Sequence, residues 1–191
     1  MPRLFTGLEI PSSAAMSLAS LRGGLPGARW IDPENYHLTL RFIGDIDDRT
    51  ADAIAELLAD IRRRPVELVF EGLGAFGGHK PRAVYTAVKL TPALAELQAE
   101  QERLCRAAGL EPEGRRFTPH VTLARLRDVR SHAVAEYLAT RGGFRVPSFR
   151  VQRFVLFSSK PSTGGGPYVV EEAYPLHESR GGAIEHPTRR A

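Results

Sequence analysis

Cysteine is almost missing from this chain. Cys105 stands alone among 191 residues, which excludes an internal disulfide and a zinc site built on thiolates. Lysine is scarce too: of the 26 basic residues, three are lysine and 23 are arginine. No run of about 18 apolar residues occurs, so no segment is expected to span a membrane. The opening Met1-Pro2-Arg3-Leu4-Phe5 lacks the apolar core that a secretory signal needs. A reducing, cytoplasmic setting is therefore expected. Low-complexity stretches and linkers are lacking as well, so residues 1–176 are expected to form a single domain.

What is there is an ordinary soluble composition, 42% hydrophobic and 25% charged, with a net charge of +4. Such a chain can bury a core. Arginine grips phosphate through two parallel hydrogen bonds, so its dominance suits an anionic substrate. A GC-rich genome produces the same bias with no partner at all. The small net charge does not by itself argue for binding long duplexes.

Period and punctuation suggest the elements. Residues 3–10 alternate and read as a strand. Pro11-Ser12-Ser13 starts a helix with Leu18, Leu21 and Leu25 at helical spacing, and Gly23-Gly24 and Pro26-Gly27 end it. Arg29-Trp30-Ile31 leads through the Asp32-Pro33-Glu34-Asn35 turn into a strand at 36–44. Asp47-Asp48 caps a helix carrying Ile54, Leu57, Leu58 and Ile61, and Arg62-Arg63-Arg64 forms its basic end. Strands are expected at 66–73 and 83–90. Thr91-Pro92 opens a third helix with Leu94, Leu97, Leu104 and Cys105, which stops at Gly109. A strand at 118–126, a short helix at 131–138 and strands at 149–157 and 168–176 follow. Residues 177–191 lose periodicity and read as a polar tail. Some strands are joined by loops too short for a crossover, which favours α+β with mostly antiparallel sheet.

One short pattern occurs twice: His37-Leu38-Thr39-Leu40 and His120-Val121-Thr122-Leu123. In a strand, positions i and i+2 face the same side. Each motif therefore sets one imidazole and one hydroxyl on one face and points two apolar residues at the core. Six histidines and ten threonines predict roughly 0.3 His-x-Thr matches by chance. Two half-exposed strands with polar faces would produce the pattern without a site. The flanks echo each other as well, Arg29 to Glu34 before the first motif and Arg115 to Pro119 before the second. This suggests two similar lobes lending a strand each to a shared cleft. Two histidines across a cleft suit concerted proton transfer, one neutral and one charged near neutral pH. The hydroxyls can hold phosphoryl oxygens.

These motifs resemble those of the two-histidine (2H) phosphoesterases. From Arg3 to about Leu176 the chain is similar to the bacterial and archaeal RNA 2',3'-cyclic phosphodiesterases, historically called 2'-5' RNA ligases. The resemblance rests on Arg3-Leu4-Phe5, Leu8-Glu9-Ile10-Pro11, Arg29-Trp30-Ile31, the stretch from Glu34 to Gly44, Gly72-Leu73-Gly74-Ala75-Phe76, and above all Phe117-Thr118-Pro119-His120-Val121-Thr122-Leu123-Ala124-Arg125. It implies a bilobal α+β fold of LigT-like type, two mostly antiparallel sheets flanking a central cleft with helices on the outer faces. It implies hydrolysis of a terminal 2',3'-cyclic phosphate on RNA to a 2'-phosphate, with no cofactor and no metal. By the same resemblance His37 is the proton donor, His120 the acceptor, and Thr39, Thr122 and Arg125 bind phosphate.

Arg125 poses a problem of parity. It lies five residues after His120, so strict alternation turns it from the cleft unless a bulge intervenes. Arg41, four after His37, has the right parity and is a second candidate for phosphate. Trp30 and Phe76 are candidates for stacking on a base. His79 lies in a glycine-rich loop beside Lys80 and Arg82, and it and His132, His177 and His186 are expected at the surface. Gly72 to Gly78 lacks the pattern of a phosphate-binding P-loop. The expected partners are RNA with a 2',3'-cyclic phosphate terminus, or cyclic nucleotides, met by a monomer. Two other readings stand beside hydrolysis: 2'-5' ligation by the reverse reaction, and an RNA- or nucleotide-binding module without turnover. A histidine metalloenzyme is disfavoured, because neither motif offers a helix-spaced ligand pair or a carboxylate.

Overall fold

A computed structural model describes residues 3–159 and 166–177. The strands are β1 (Arg3–Glu9), β2 (Ala28–Trp30), β3 (His37–Asp45), β4 (Val66–Leu68), β5 (Phe70–Phe76), β6 (Ala83–Val88), β7 (His120–Leu126), β8 (Phe149–Val151), β9 (Arg153–Ser159) and β10 (Tyr168–Pro175). The helices are α1 (Ser12–Ala19), α2 (Asp48–Ala59), α3 (Pro92–Ala107) and α4 (Ser131–Thr140), with a 3₁₀ turn at Pro33–Asn35. The architecture is α+β and every strand pairing among the described residues is antiparallel.

The caps act as the sequence predicts. Asp47 accepts a hydrogen bond from the Thr50 amide at 2.9 Å, and Thr91 accepts one from the Leu94 amide at 3.3 Å, with Pro92 at the first helical position. Each satisfies a donor that the helix start would otherwise leave open.

The sheet runs β10-β9-β1-β3-β7-β6-β5, and β2 joins β7 off this path. The two expected sheets are thus two halves of one. They meet at a narrow seam, where β3 and β7 share a single registered pair, Leu38 with Val121. The expected runs 66–73 and 149–157 each break in two. β4 and β8 leave the main sheet and pair with each other. The break residues remain bonded: Val69 O accepts from the Lys89 amide and Gln152 O from the Leu176 amide.

One face of the seam is core. Leu38, Leu40, Val121 and Leu123 are buried together with Leu94 and Leu97 of α3. Each such side chain contributes about 1.5–3 kcal/mol, so the motif strands are anchored from behind. Near α4, Trp30 packs at 5.7 Å from the Tyr137 ring, and the Tyr137 hydroxyl donates to Leu21 O at 2.6 Å. Trp30 is therefore a packing residue. Among the described residues no helix is long and apolar enough to cross a membrane. Of the expected tail, 178–191 lies outside the described residues, as does His186. His177 is exposed, and its amide donates to Arg63 O.

Candidate active site

Strand alternation brings His37, Thr39, His120 and Thr122 out on the face opposite the core. All four line one cavity of about 110 Å³ beside the seam, together with Arg125, Asn35, Phe76 and Tyr168. His79 and His132 lie elsewhere and are exposed.

Arg125 reaches the cavity through a bulge. In the β6–β7 ladder Val84 faces Ala124 and Tyr85 faces Thr122, leaving Leu123 as an extra residue. Leu123 and Ala124 are both buried in succession. The extra residue inverts the parity of the rest of the strand, and Arg125 emerges on the motif face.

The same device removes Arg41. In the β1–β3 ladder Thr6 faces Arg41 and Gly7 faces Thr39, so Leu40 is the extra residue. Arg41 turns into the core, 6% exposed. Its Nε lies 2.6 Å from Glu102 Oε2, an ion pair out of line for a hydrogen bond, and its Nη1 lies 3.5 Å from Glu113. It also donates to the carbonyls of Phe42 and Glu111. The expectation that Arg41 binds phosphate is therefore corrected. Its right parity under strict alternation is undone by one inserted residue, and its charge is already matched inside the protein.

The two imidazoles are held alike. His37 Nδ1 lies 2.8 Å from Asn35 O, and His120 Nδ1 lies 2.7 Å from Thr118 O. A carbonyl only accepts, so each Nδ1 carries the proton and each Nε2 is left for chemistry. Asn35, in turn, accepts from the Tyr168 amide at 3.5 Å through its side chain.

The rings behind the two histidines differ. His37 is walled by Phe5, Phe157 and Tyr168, with centroids at 5.0, 5.6 and 4.8 Å. His120 meets Phe76 at 4.8 Å and Tyr85 at 5.4 Å. Glycines make room on both sides. A Cβ at Gly7 would come within 2.8 Å of Leu38 O and 3.2 Å of the Phe157 ring, and one at Gly74 within 2.6 Å of Tyr85.

This environment sets the protonation. Burial pushes His37 down to about 4, with the Asn35 carbonyl partly opposing and Arg125 and His120 adding to the fall. His120 is lowered by burial first, again opposed by its carbonyl partner and assisted by Arg125. Before any anion arrives, both rings are thus held neutral, and each Nε2 can accept a proton. The positive charge of Arg125 faces both. No ion pair joins Arg125 to another described residue. No cluster of three or more histidine, cysteine or acidic residues that could hold a metal occurs among the described residues.

The sequence pattern of the LigT like phosphoesterases matches residues 8–85 and 87–168, one motif in each stretch. The chain belongs to that family. An RNA 2',3'-cyclic phosphodiesterase of Aeropyrum pernix is 37% identical over 139 residues, 71% of this chain and 78% of that protein. One from Aquifex aeolicus is 32% identical over 152 residues, 76% of this chain and 81% of that protein. Among solved structures, E. coli LigT complexed with 3'-AMP superposes with a TM-score of 0.74 at 24% identity, covering 93% of this chain and all of that one. TT0787 of Thermus thermophilus superposes with a TM-score of 0.75 at 22% identity, over 91% of this chain and 97% of that one. The protein is a LigT-like phosphoesterase with the α+β fold of these structures.

The sequence assigns no site role to Asn35, Tyr168, Gly7 or Gly74, although Asn35 and Gly74 lie in stretches that carry the family resemblance. Asn35 acts through its backbone carbonyl, which carries no side-chain signal. The glycines had a faint one, since Gly7 sits inside a strand, where glycine marks a close approach.

Proposed function

We propose that this protein hydrolyses the 2',3'-cyclic phosphate at RNA 3' ends to a 2'-phosphate, using two histidines and no metal. The observation that carries the reading is the convergence of both motifs on one cavity, each imidazole fixed at Nδ1 and open at Nε2. The names of the similar proteins from Aeropyrum and Aquifex supply the substrate class.

In this reading Arg125, Thr39 and Thr122 hold the phosphoryl oxygens and stabilise the charge that gathers on them. His120 Nε2 takes a proton from the attacking water. His37 Nε2 delivers one to the departing 3'-oxygen. Attack is in line, so the entering and leaving oxygens lie on opposite sides of phosphorus.

The donor role makes a demand on His37. The ligand-free cavity pushes His37 down to about 4, so a neutral ring is its resting state near pH 7. An anionic phosphodiester beside it offsets Arg125 and favours the imidazolium. The substrate itself therefore charges its own acid. Both histidines come from one chain, so a monomer contains the whole site. The single thiol, Cys105, is buried and free, which suits a reducing compartment.

The test is to supply RNA ending in a 2',3'-cyclic phosphate with excess chelator and identify the product. A 2'-phosphate at a rate within about twofold of the chelator-free rate is expected. A 3'-phosphate would overturn the donor and acceptor assignment. Loss of activity restored by zinc or magnesium would overturn the metal-free mechanism. Joined RNA from a 5'-hydroxyl partner, formed in preference to the hydrolysis product, would point to 2'-5' ligation, with the hydroxyl in place of water. Binding without any turnover would leave only a recognition module.

A further inference from the structure

We propose a second phosphate subsite at Arg29, next to the catalytic cavity, that holds the internucleotide phosphate on the 5' side of the reacting one. It rests on the phosphodiesterase reading and narrows its substrate to oligoribonucleotide ends.

The observation is a cross-strand pair of like charge. In the β2–β7 ladder Arg29 lies directly opposite Arg125. Directly paired residues of an antiparallel ladder project from the same face, with Cβ atoms about 4.5–5.5 Å apart. A second register agrees. The Ile31 amide donates to Leu123 O, continuing the ladder, and Ile31 lines the cavity. Arg29 is two residues earlier and so shares its face.

Across the sheet the row continues. Ala83 is opposite Arg125, and Phe76 is opposite Ala83. Both of those line the cavity. The row therefore reads Arg29, Arg125, Ala83, Phe76, and it contains no carboxylate.

Like charges directly opposite each other weaken a sheet. Here both arginines are exposed, on the face to which the proposed function assigns the phosphate. An anion between or beside them reverses the sign of that interaction. Arg125 lines the cavity, whereas Arg29 stands outside it, on a strand that pairs with β7. Two long guanidinium side chains rooted about 5 Å apart can diverge onto neighbouring phosphates of one strand. An RNA 3' end offers them in that order: the cyclic phosphate for Arg125, the next phosphodiester for Arg29. A cyclic mononucleotide offers only the first.

The test compares adenosine 2',3'-cyclic phosphate with the dinucleotide ApA ending in a 2',3'-cyclic phosphate. Arg29→Gln should lower kcat/KM for the dinucleotide roughly tenfold and leave the mononucleotide within about twofold. The salt dependence for the dinucleotide should weaken by about one charge, with Arg29→Lys retaining most of it. Binding of the corresponding 2'-phosphates, adenosine 2'-phosphate and ApA 2'-phosphate, is measured in parallel by calorimetry. Wild type should bind the dinucleotide more tightly, and Arg29→Gln should lose that preference. Equal losses on both lengths would show that Arg29 acts on the reacting phosphate or through Arg125, and would overturn the proposal. So would no loss on either, or a wild-type protein with no preference for length. Length-dependent binding that needs Arg29, without any turnover, would sink the phosphodiesterase reading and leave the subsite standing.

Discussion

Strands β3 and β7 share one backbone device and use it for opposite ends. Each starts with a half-exposed histidine, buries the next residue, half-exposes a threonine and then buries two residues in succession. Each owes that double burial to one inserted leucine, Leu40 or Leu123. The residues after the bulge differ. In β7, Ala124 goes to the core and Arg125 emerges at the site. In β3, Arg41 goes to the core and Phe42 emerges, 46% exposed. One half thus presents its arginine at the cavity, where the proposed function gives it an anion, and the other matches its arginine with internal carboxylates. The parity of the chain, more than the presence of an arginine near the motif, decides which role the cation takes.

The strongest way to break the comparison is to remove the histidines one at a time. His37→Ala and His120→Ala should each lower kcat/KM by about 10²–10⁴. Thr39→Ala and Thr122→Ala should cost only about tenfold, since water replaces part of a lost hydrogen bond. A well-folded histidine variant with near-normal turnover would show that the two strands are alike in shape only.

The arginines sharpen it. Arg125→Ala should lower kcat/KM by about 10² with an unchanged denaturation midpoint. Arg41→Met should do the reverse. It leaves Glu102 and Glu113 without their cation and should destabilise the fold by about 3 kcal/mol, while the folded fraction keeps its turnover. Urea unfolding beside steady-state kinetics separates the two. A loss of kcat/KM in folded Arg41→Met comparable to that of Arg125→Ala would return Arg41 to the site.

The smallest effect lies in mild acid. Folded His37 takes a proton only near pH 4, whereas in an unfolded chain histidine does so near pH 6.5 (about the model-peptide value). Between those limits the unfolded state binds more protons. This group's contribution to stability is therefore full above about pH 6.5, declines as the pH falls towards 4 and levels off below that. His120, lowered as well, acts in the same sense. His37→Gln should flatten the decline in a series of urea titrations from pH 7 to 4. An identical slope in the variant would mean that the aromatic wall of β1, β9 and β10 does not set the state of His37.

Much of this was legible in the residues. The two motifs announced both histidines and both threonines, because a period of two and a buried leucine or valine between them leave little freedom. The helix caps at Asp47 and Thr91 were readable for the same local reason. The bulges were not. An inserted residue costs little sequence, and Leu40 and Leu123 look like any other core leucine, so parity alone points Arg41 at the site and turns Arg125 from it, and only the family resemblance puts Arg125 there. The splitting of 66–73 and 149–157 was hidden too, since β4 and β8 find each other across about 80 residues of chain. Tyr168 lies far from either motif and reaches His37 only because β10, β9, β1 and β3 are neighbours in the sheet.

The carbonyl clamps on the two Nδ1 atoms have a consequence for the catalytic cycle. Neither ring can turn over to present its other nitrogen without breaking its bond to Asn35 or Thr118. Each imidazole therefore exchanges protons at one atom only. After one hydrolysis in the proposed direction, His37 has lost its proton and His120 has gained one, so the site ends in the opposite state from the one in which it began. That opposite state is the one from which the 3'-hydroxyl could attack the 2'-phosphate and re-close the ring, with neutral His37 taking its proton and charged His120 protonating the leaving oxygen. Forward turnover is restored when solvent carries a proton off one clamped ring and delivers one to the other, a reset step with its own dependence on buffer concentration.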